Sequence, residues 1–338
     1  MAAANSAYAA MMRNFYSGNP VNLPVIDSME NAWDAYFDKA GFPAAFTSTG
    51  SAYGKNIAQA ISQWSAGDHA DGASAPYVPP VGIGLWVPTP PAFAAAASPY
   101  WGNDRPIVAH SIDQATVAAP FPFSADASSP YYKQVKDLYD TSLALSTTQK
   151  ATASYWDDSP NGKDVTAYGH WSSILAQIIN SKHLKLVDAA AAFVAMTVSM
   201  NDVSIICWKE KFSFNQMRPV TYIRSYFGDA NWLSFITTPA HPEYPAAHAC
   251  LSFAAAKALT SVLGDDIGFT DHTYDYLGMS PHSFANFLSA ADEAGISRFY
   301  GGIHYKPSIQ TGAGCGKITA SAVVSRLHFR GDHKGDGY

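Results

Sequence analysis

The sequence predicts an all-α protein, and three observations carry that prediction. Apolar residues recur at helical spacing through most of the chain beyond residue 130, and alternating strand patterns are almost absent. One run, LKLVDAAAAFVAMTVSMNDVSIICWKEKF, is apolar on more than one face, as a helix surrounded by other helices must be. The expected architecture is a helical bundle with irregular, Pro-rich N-terminal wrapping. It is read as one domain over 1–338, in which 1–130 supplies the wrapping segment and short helices and 131–330 the core bundle.

The early helical patterns are SMENAWDAYFDKAG and NIAQAISQWSAG. Between them and the bundle runs YVPPVGIGLWVPTPPAFAAAASPYWGNDRP, whose prolines forbid regular helix or a central strand. Its tryptophans and tyrosines would be costly to leave in water, so it is expected to be ordered against the core. Helices then follow at YKQVKDLYDTSLAL, TQKATASYWDD, GHWSSILAQIINS and the long apolar run, then from His248 to Leu263, from Ser283 to about Phe299, and over IQTGAGCGKITASAVVSRL.

Composition narrows the function classes. A net charge of -6 with 21 Lys plus Arg leaves no broad basic surface, which argues against nucleic acid as a partner, so any anion site must be local. No apolar run free of Lys, Asp or Asn reaches the roughly 18 residues of a spanning helix, so membrane insertion is not expected. Cys207, Cys250 and Cys315 fall in apolar helical runs, as buried thiols rather than a disulfide framework. The start, MAAANSAYAAMMRNF, lacks a clear hydrophobic region before a cleavage site and is not read as a signal peptide; a leader already removed would mean periplasm or secretion, and otherwise the cytoplasm is expected. The 11 histidines raise the question of zinc, but no His-x3-His or Cys-x2-Cys pair supports it.

Three polar clusters sit where long helices begin or end. In WKEKFSFNQMRPV, Lys211 and Arg218 precede Pro219, which disfavours helix at Arg218 and so ends the central helix nearby. A cationic C-terminus offsetting the helix dipole would look the same. In PAHPEYPAAHACL, a helix entered through Pro245, with Ala246, Ala247 and His248 in its first turn, would aim free amides at one spot. An ordinary Pro-started helix with a surface His fits equally. In GISRFYGGIHYKPS, Gly301 and Gly302 can break the helix and fold Arg298 and His304 back to one point; a Gly-terminated helix whose His caps a carbonyl is the competing account. Conjunction favours a common site: two arginines, one lysine and a helix N-terminus suit a small tetrahedral oxyanion, and two histidines supply a ligand or nucleophile and an acid/base.

The motifs KFSFNQMRP, PAAH and SRFYGGIHYKPS, in that order, resemble the three-part signature of the superfamily that joins vanadium-dependent haloperoxidases, type-2 phosphatidic acid phosphatases and bacterial acid phosphatases. GLWVPTPPAF, PYWGNDRP and YWDDSPNGKDVTAYGHW look like stretches of its bacterial haloperoxidase-like branch, so the likeness runs from about Gly82 to about Ala320. The resemblance implies vanadate as cofactor, with phosphate able to occupy the same site, and hydrogen peroxide and halide as reaction partners. Lys211, Arg218 and Arg298 would bind the equatorial oxygens, Ala247 would offer its N–H, His304 would be the axial metal ligand, and His248 the acid/base. Trp208 resembles a pocket-wall aromatic. His241 stands where bromoperoxidases have His and chloroperoxidases tend to have Phe, which points to bromide or iodide. A homodimer is a further family-level expectation.

Two departures stand out. Ala246 replaces the signature Ser, removing a hydroxyl worth about 1.5 to 3 kcal/mol to the oxyanion. Ser308 replaces the Asp that would orient His304. A nucleophilic His depends on such a carboxylate more than a metal ligand does, which favours the haloperoxidase over a phosphomonoesterase using His304 as nucleophile. A third reading is an oxyanion-binding homologue without turnover. Asp157 or Asp158 would support Arg298, His170 would line the entrance or cap its helix, and GDHKGDGY would be a solvated tail.

Overall fold

The computed structural model describes residues 1–159 and 162–327; the expected solvated tail lies outside them. The residues group into two compact units, Met1–Ala70 and Asp71–Tyr338. In the first, helices α1 (Ala2–Phe15), α2 (Asn22–Lys39) and α3 (Ala44–Ser65) pack together. Gly54 of α3 lies against the backbone of Ala3, and Arg13 joins α1 to Asp27 at 2.7 Å and Glu30 at 2.5 Å on α2.

The second unit is the expected bundle. Helices α4 (Pro130–Leu143), α5 (Thr147–Tyr155) and α6 (Ala167–Ser181) lead to the central α7 (Leu186–Phe214). After the single turn α8 (Pro219–Tyr222) come α9 (Ala247–Leu263), α10 (Phe287–Tyr300) and α11 (Lys306–Arg326). A short antiparallel pair, β1 (Phe269–Asp271) and β2 (His282–Phe284), separates α9 from α10. Ser283 therefore belongs to a strand, and the helix expected to begin there starts at Phe287, where Asn286 and Ser289 form a reciprocal cap.

The α9 helix sits at the centre because its surface is small. Ala249, Ala254, Ala255, Ala256 and Ala258 are wholly buried, which lets α7, α10 and α11 close around it. Glycines on α11 complete the approach: a Cβ at Gly312 would stand 2.7 Å from the Ala246 carbonyl, and one at Gly316 would stand 2.8 Å from the Ala254 nitrogen and clash with the Cys250 carbonyl. By length and a mean hydropathy of 1.6, α7 could cross a membrane, contrary to the sequence expectation, but 67% of that window is buried inside the protein. Its apolar character belongs to a core helix.

The Pro-rich segment is ordered as expected. Trp86 is fully buried, and the strand-like stretch around it exchanges hydrogen bonds with the chain leaving α7, Trp86 N–H to the Asn215 carbonyl at 2.7 Å and Met217 N–H to the Gly84 carbonyl at 2.9 Å. Asp202, buried on α7, accepts from the N–H groups of Ile107 and Val108 and the Ser111 hydroxyl at 2.7, 3.1 and 2.6 Å. A buried carboxylate so satisfied fastens the wrapping segment to the bundle.

The Gly316 contact yields a test of the packing. Gly316→Ala forces α11 away from α9 and is expected to cost about 1–3 kcal/mol, read as a clear drop in Tm. An unchanged Tm contradicts the close-approach account.

Candidate active site

Each candidate residue is placed by the end of a helix. The α7 helix stops where Asn215 turns left-handed, at φ 49°, a conformation that Asn tolerates, and its side-chain amide donates to the Phe212 carbonyl at 3.0 Å. Lys211 thus occupies the last turn and is fully buried. Its Nζ donates to the carbonyls of Pro242, Glu243 and Pro245 at 2.9, 3.0 and 2.5 Å, so it pins the stiff loop that leads into α9. Burial pushes its pKa below the ordinary lysine range.

Arg218, extended just before Pro219, is also fully buried. Its Nε donates to the His241 carbonyl at 2.7 Å, Nη1 to the Ile303 carbonyl at 2.9 Å and to His304 Nε2 at 3.2 Å, and Nη2 to His241 Nδ1 at 3.0 Å. Arg298, in the last turn of α10 and 2% exposed, donates through Nη1 to the carbonyls of Trp156 and Asp157. Its Nε is buried without a partner. Burial lowers both guanidinium pKa values to about 10.

The acceptors around these three cations are backbone carbonyls and imidazole nitrogens. Among the described residues no carboxylate oxygen lies within ion-pair distance of Lys211, Arg218 or Arg298. Dipoles satisfy the N–H groups without cancelling the charge. Glu243 acts on Lys211 and Arg218, and Asp157 and Asp158 on Arg298, only from beyond ion-pair distance, which leaves the cations able to hold an anion.

The turn after α10 brings in His304. Gly302 is left-handed at φ 79°, and the N–H groups of Ile303 and His304 return to the Arg298 carbonyl at 3.1 and 3.3 Å. His304 is 2% exposed. Its Nδ1 meets Glu243 Oε1 at 2.9 Å, and the same oxygen accepts from Tyr305 N–H at 3.1 Å. Nδ1–H therefore points to a carboxylate, and Nε2 keeps its lone pair. Burial, with Arg218 and Lys211 beside it, drives the His304 pKa well below the ordinary imidazole range, so the ring is neutral at neutral pH. Glu243 supplies the orienting carboxylate that appears lost when Ser308 is read from sequence alone, and burial raises its own pKa against the pull of Lys211 and Arg218. Behind it, Glu243, Ser308, Gln216 and Gln134 line a cavity of about 190 Å³.

The α9 helix begins at Ala247, with Ala246 as a cap residue that offers no side-chain hydrogen bond. Pro245 therefore stands outside the helix rather than in its first turn. Ala246 N–H donates to the Ser308 carbonyl at 3.2 Å, while the first amides of the helix, from Ala247 onward, have no intrahelical acceptor. His248, its side chain 17% exposed, faces Asp158 with Nε2 to Oδ2 at 3.4 Å, too long for a strong hydrogen bond. Burial and the nearby Arg298 lower its pKa to about 4, against the opposing pull of Asp158.

His241 Nδ1 meets Arg218 Nη2, and burial keeps its pKa well below the ordinary range. It forms a wall with Trp208, ring centroids 5.1 Å apart, and Trp208 packs on Trp101 at 4.7 Å. Arg298 is supported by the backbone of Trp156 and Asp157, while the Asp158 carboxylate turns to His248 and His170. His170 neither lines an entrance nor caps α6, whose cap is Thr166; it is wholly buried. Glu243 and Asp271 escaped sequence reading, although a lone carboxylate between Pro242 and Pro245 was a visible signal.

Residues 191–331 match a family model described as the VCPO second helical-bundle domain. A solved structure of the first bacterial vanadium-dependent iodoperoxidase is 34% identical, with a TM-score of 0.81 over 90% of this chain and 75% of that one. The holo and apo forms of a bacterial vanadium-dependent chloroperoxidase are 16% and 17% identical. Their TM-scores are 0.69 and 0.71, covering 95% and 96% of this chain and 82% and 83% of theirs, a likeness of fold. No curated protein matches the sequence.

Glu243→Ala removes the acceptor for His304 Nδ1–H. The affinity of the pocket for a small oxyanion, probed with orthovanadate, is expected to fall about 10–100-fold with the far-UV circular dichroism unchanged. Equal affinity in the two proteins contradicts the orienting role.

Proposed function

The chain belongs to the vanadium-dependent haloperoxidase family, and we propose that it oxidises iodide or bromide with hydrogen peroxide, using vanadate held between Lys211, Arg218, Arg298 and His304. The observation that carries this reading is the set of three buried cations solvated by carbonyls rather than by carboxylates. Such a site fits an oxyanion of more than one negative charge. The unpartnered Arg298 Nε and the neutral His304 support the same fit.

When bound, vanadate would supply Lewis-acid polarisation of peroxide without changing oxidation state. The protein's own contribution is preorganised charge and proton handling. Arg218, Arg298 and the α9 amides would hold the oxygens, and His304 Nε2 would ligate the metal. Lys211 would contribute its charge and hold the Pro242–Pro245 loop, exchanging a carbonyl to touch an oxygen. With Nε2 turned to Asp158, His248 has Nδ1 as its basic nitrogen, suited to take a proton from peroxide and return one to the leaving oxygen. Trp208 and His241 would wall the halide approach. His241 and the 34% identity to an iodoperoxidase both favour iodide or bromide over chloride.

A phosphomonoesterase is the second reading, and Glu243 favours it. A carboxylate on Nδ1 of His304 is what a nucleophilic imidazole needs, so the argument from Ser308 against this chemistry loses its force. The family relationship weighs on the other side.

The two readings part in one set of assays. Iodide and bromide oxidation is expected with peroxide and vanadate, exceeding phosphate-ester hydrolysis without it. His304→Ala should lose bound vanadium, whereas His248→Ala should retain it and lose turnover about 10²–10⁴-fold. Because the base must be neutral and its pKa lies near 4, kcat/KM should hold above that pH and fall as pH drops through it. Phosphate-ester turnover without halide oxidation overturns the proposal.

A further inference from the structure

Behind the site lies a buried charge cluster with no place in the chemistry just described. His170, in the first turns of α6, is 0% exposed. Its Nδ1 stands 2.8 Å from Asp158 Oδ1 and its Nε2 2.8 Å from Asp271 Oδ2. A neutral imidazole has one N–H, so in that position its other nitrogen would set a lone pair against a carboxylate. Two carboxylates at hydrogen-bond distance require two N–H groups, and hence the imidazolium. The ring is stacked on Trp156, centroids 4.2 Å apart and planes 19° apart, an arrangement that favours a cation.

Both carboxylates are held in turn. Tyr274 OH donates to Asp158 Oδ1 at 2.7 Å. Asp271 Oδ1 accepts from the Thr273 hydroxyl at 2.6 Å, Thr273 N–H at 2.9 Å and the Gln177 amide at 3.2 Å. Asp158 adopts a left-handed backbone at φ 47°, a conformation uncommon outside Gly and Asn/Asp and often found where a side chain must be aimed. Its remaining oxygen, Oδ2, has no hydrogen-bond partner except the approach of His248 Nε2 at 3.4 Å.

We propose that His170, clasped as an imidazolium between Asp158 and Asp271, is a positioning residue that presents Asp158 to His248 and so fixes which nitrogen of that imidazole carries the proton. The inference rests on the reading of His248 as the acid/base. With Asp158 held ionised, the His248 proton stays on Nε2 and the lone pair on Nδ1. The groups facing the clasp are Asp158 and Asp271 on the two sides of the ring, Tyr155 and Tyr274 against its edge, and, beyond Asp158, His248 and Arg298. Burial presses the His170 pKa down, but the two carboxylates outweigh it and raise it to about 9. The same cation keeps Asp158 below the usual carboxylate range despite its burial.

The test follows the histidines by ¹⁵N NMR in protein without vanadate, so it does not depend on turnover. His170 should keep both ring protons up to about pH 8, while His248 stays neutral, with the proton on Nε2, down to near pH 4. His170→Gln/Asp271→Asn replaces the clasp with neutral partners of similar shape. Removing the cation next to Asp158 should raise the His248 titration by about one pH unit, and the acid limb of halide oxidation should move by the same amount. A neutral His170 at pH 7 in the unaltered protein overturns the proposal, as does an unmoved His248 titration in the folded double variant. Absence of halide oxidation with the NMR pattern intact would remove the haloperoxidase reading and leave the clasp standing.

Discussion

The site depends on how three buried cations are kept. Lys211, Arg218 and Arg298 are removed from water almost completely, a position that a carboxylate beside each would ordinarily make tolerable. Here their N–H groups go to the carbonyls of Pro242, Glu243, Pro245, His241, Ile303, Trp156 and Asp157. These neutral acceptors leave Arg298 Nε without a partner and do not neutralise the cations. A small oxyanion completes this arrangement, whereas a set of matched ion pairs would have excluded one.

Those carbonyls come from irregular chain at the ends of helices. The loop from Pro239 to Ala246 offers four of them while leading into the uncapped start of α9. The Gly301–Gly302 turn offers Ile303 and delivers His304. Close packing of α11 on α9 through Gly312 and Gly316 holds the loops in register, and Glu243 ties the first loop to the second through His304. The pocket is a junction of helix ends, and the alanine-rich core makes that junction tight.

Much of this was legible in the sequence because single residues fixed the local chain. Pro219 keeps Arg218 extended just ahead of the next helical turn, and the paired glycines turn the chain so that the His304 N–H returns to the Arg298 carbonyl. What escaped reading lies in contacts between distant segments that leave no local pattern. Glu243 reaches His304 across 61 residues, and His170 reaches Asp271 across 101. Lys211 carried its charge plainly, but nothing in its neighbours foretold that it would spend all three protons on one loop. The helix expected from His248 begins one residue earlier, at Ala247, whereas Ser283, read as a helix start, lies in a strand because short apolar runs carry helix and strand spacing equally well.

The central claim is that cations solvated by carbonyls form one oxyanion cradle opening on His304. A crystal structure of the protein soaked in orthovanadate tests it most directly, through the anomalous signal of vanadium. The account predicts a single strong peak bonded to His304 Nε2 and bordered by Arg218 and Arg298. Vanadium seated elsewhere, with these residues in their present contacts, would contradict it.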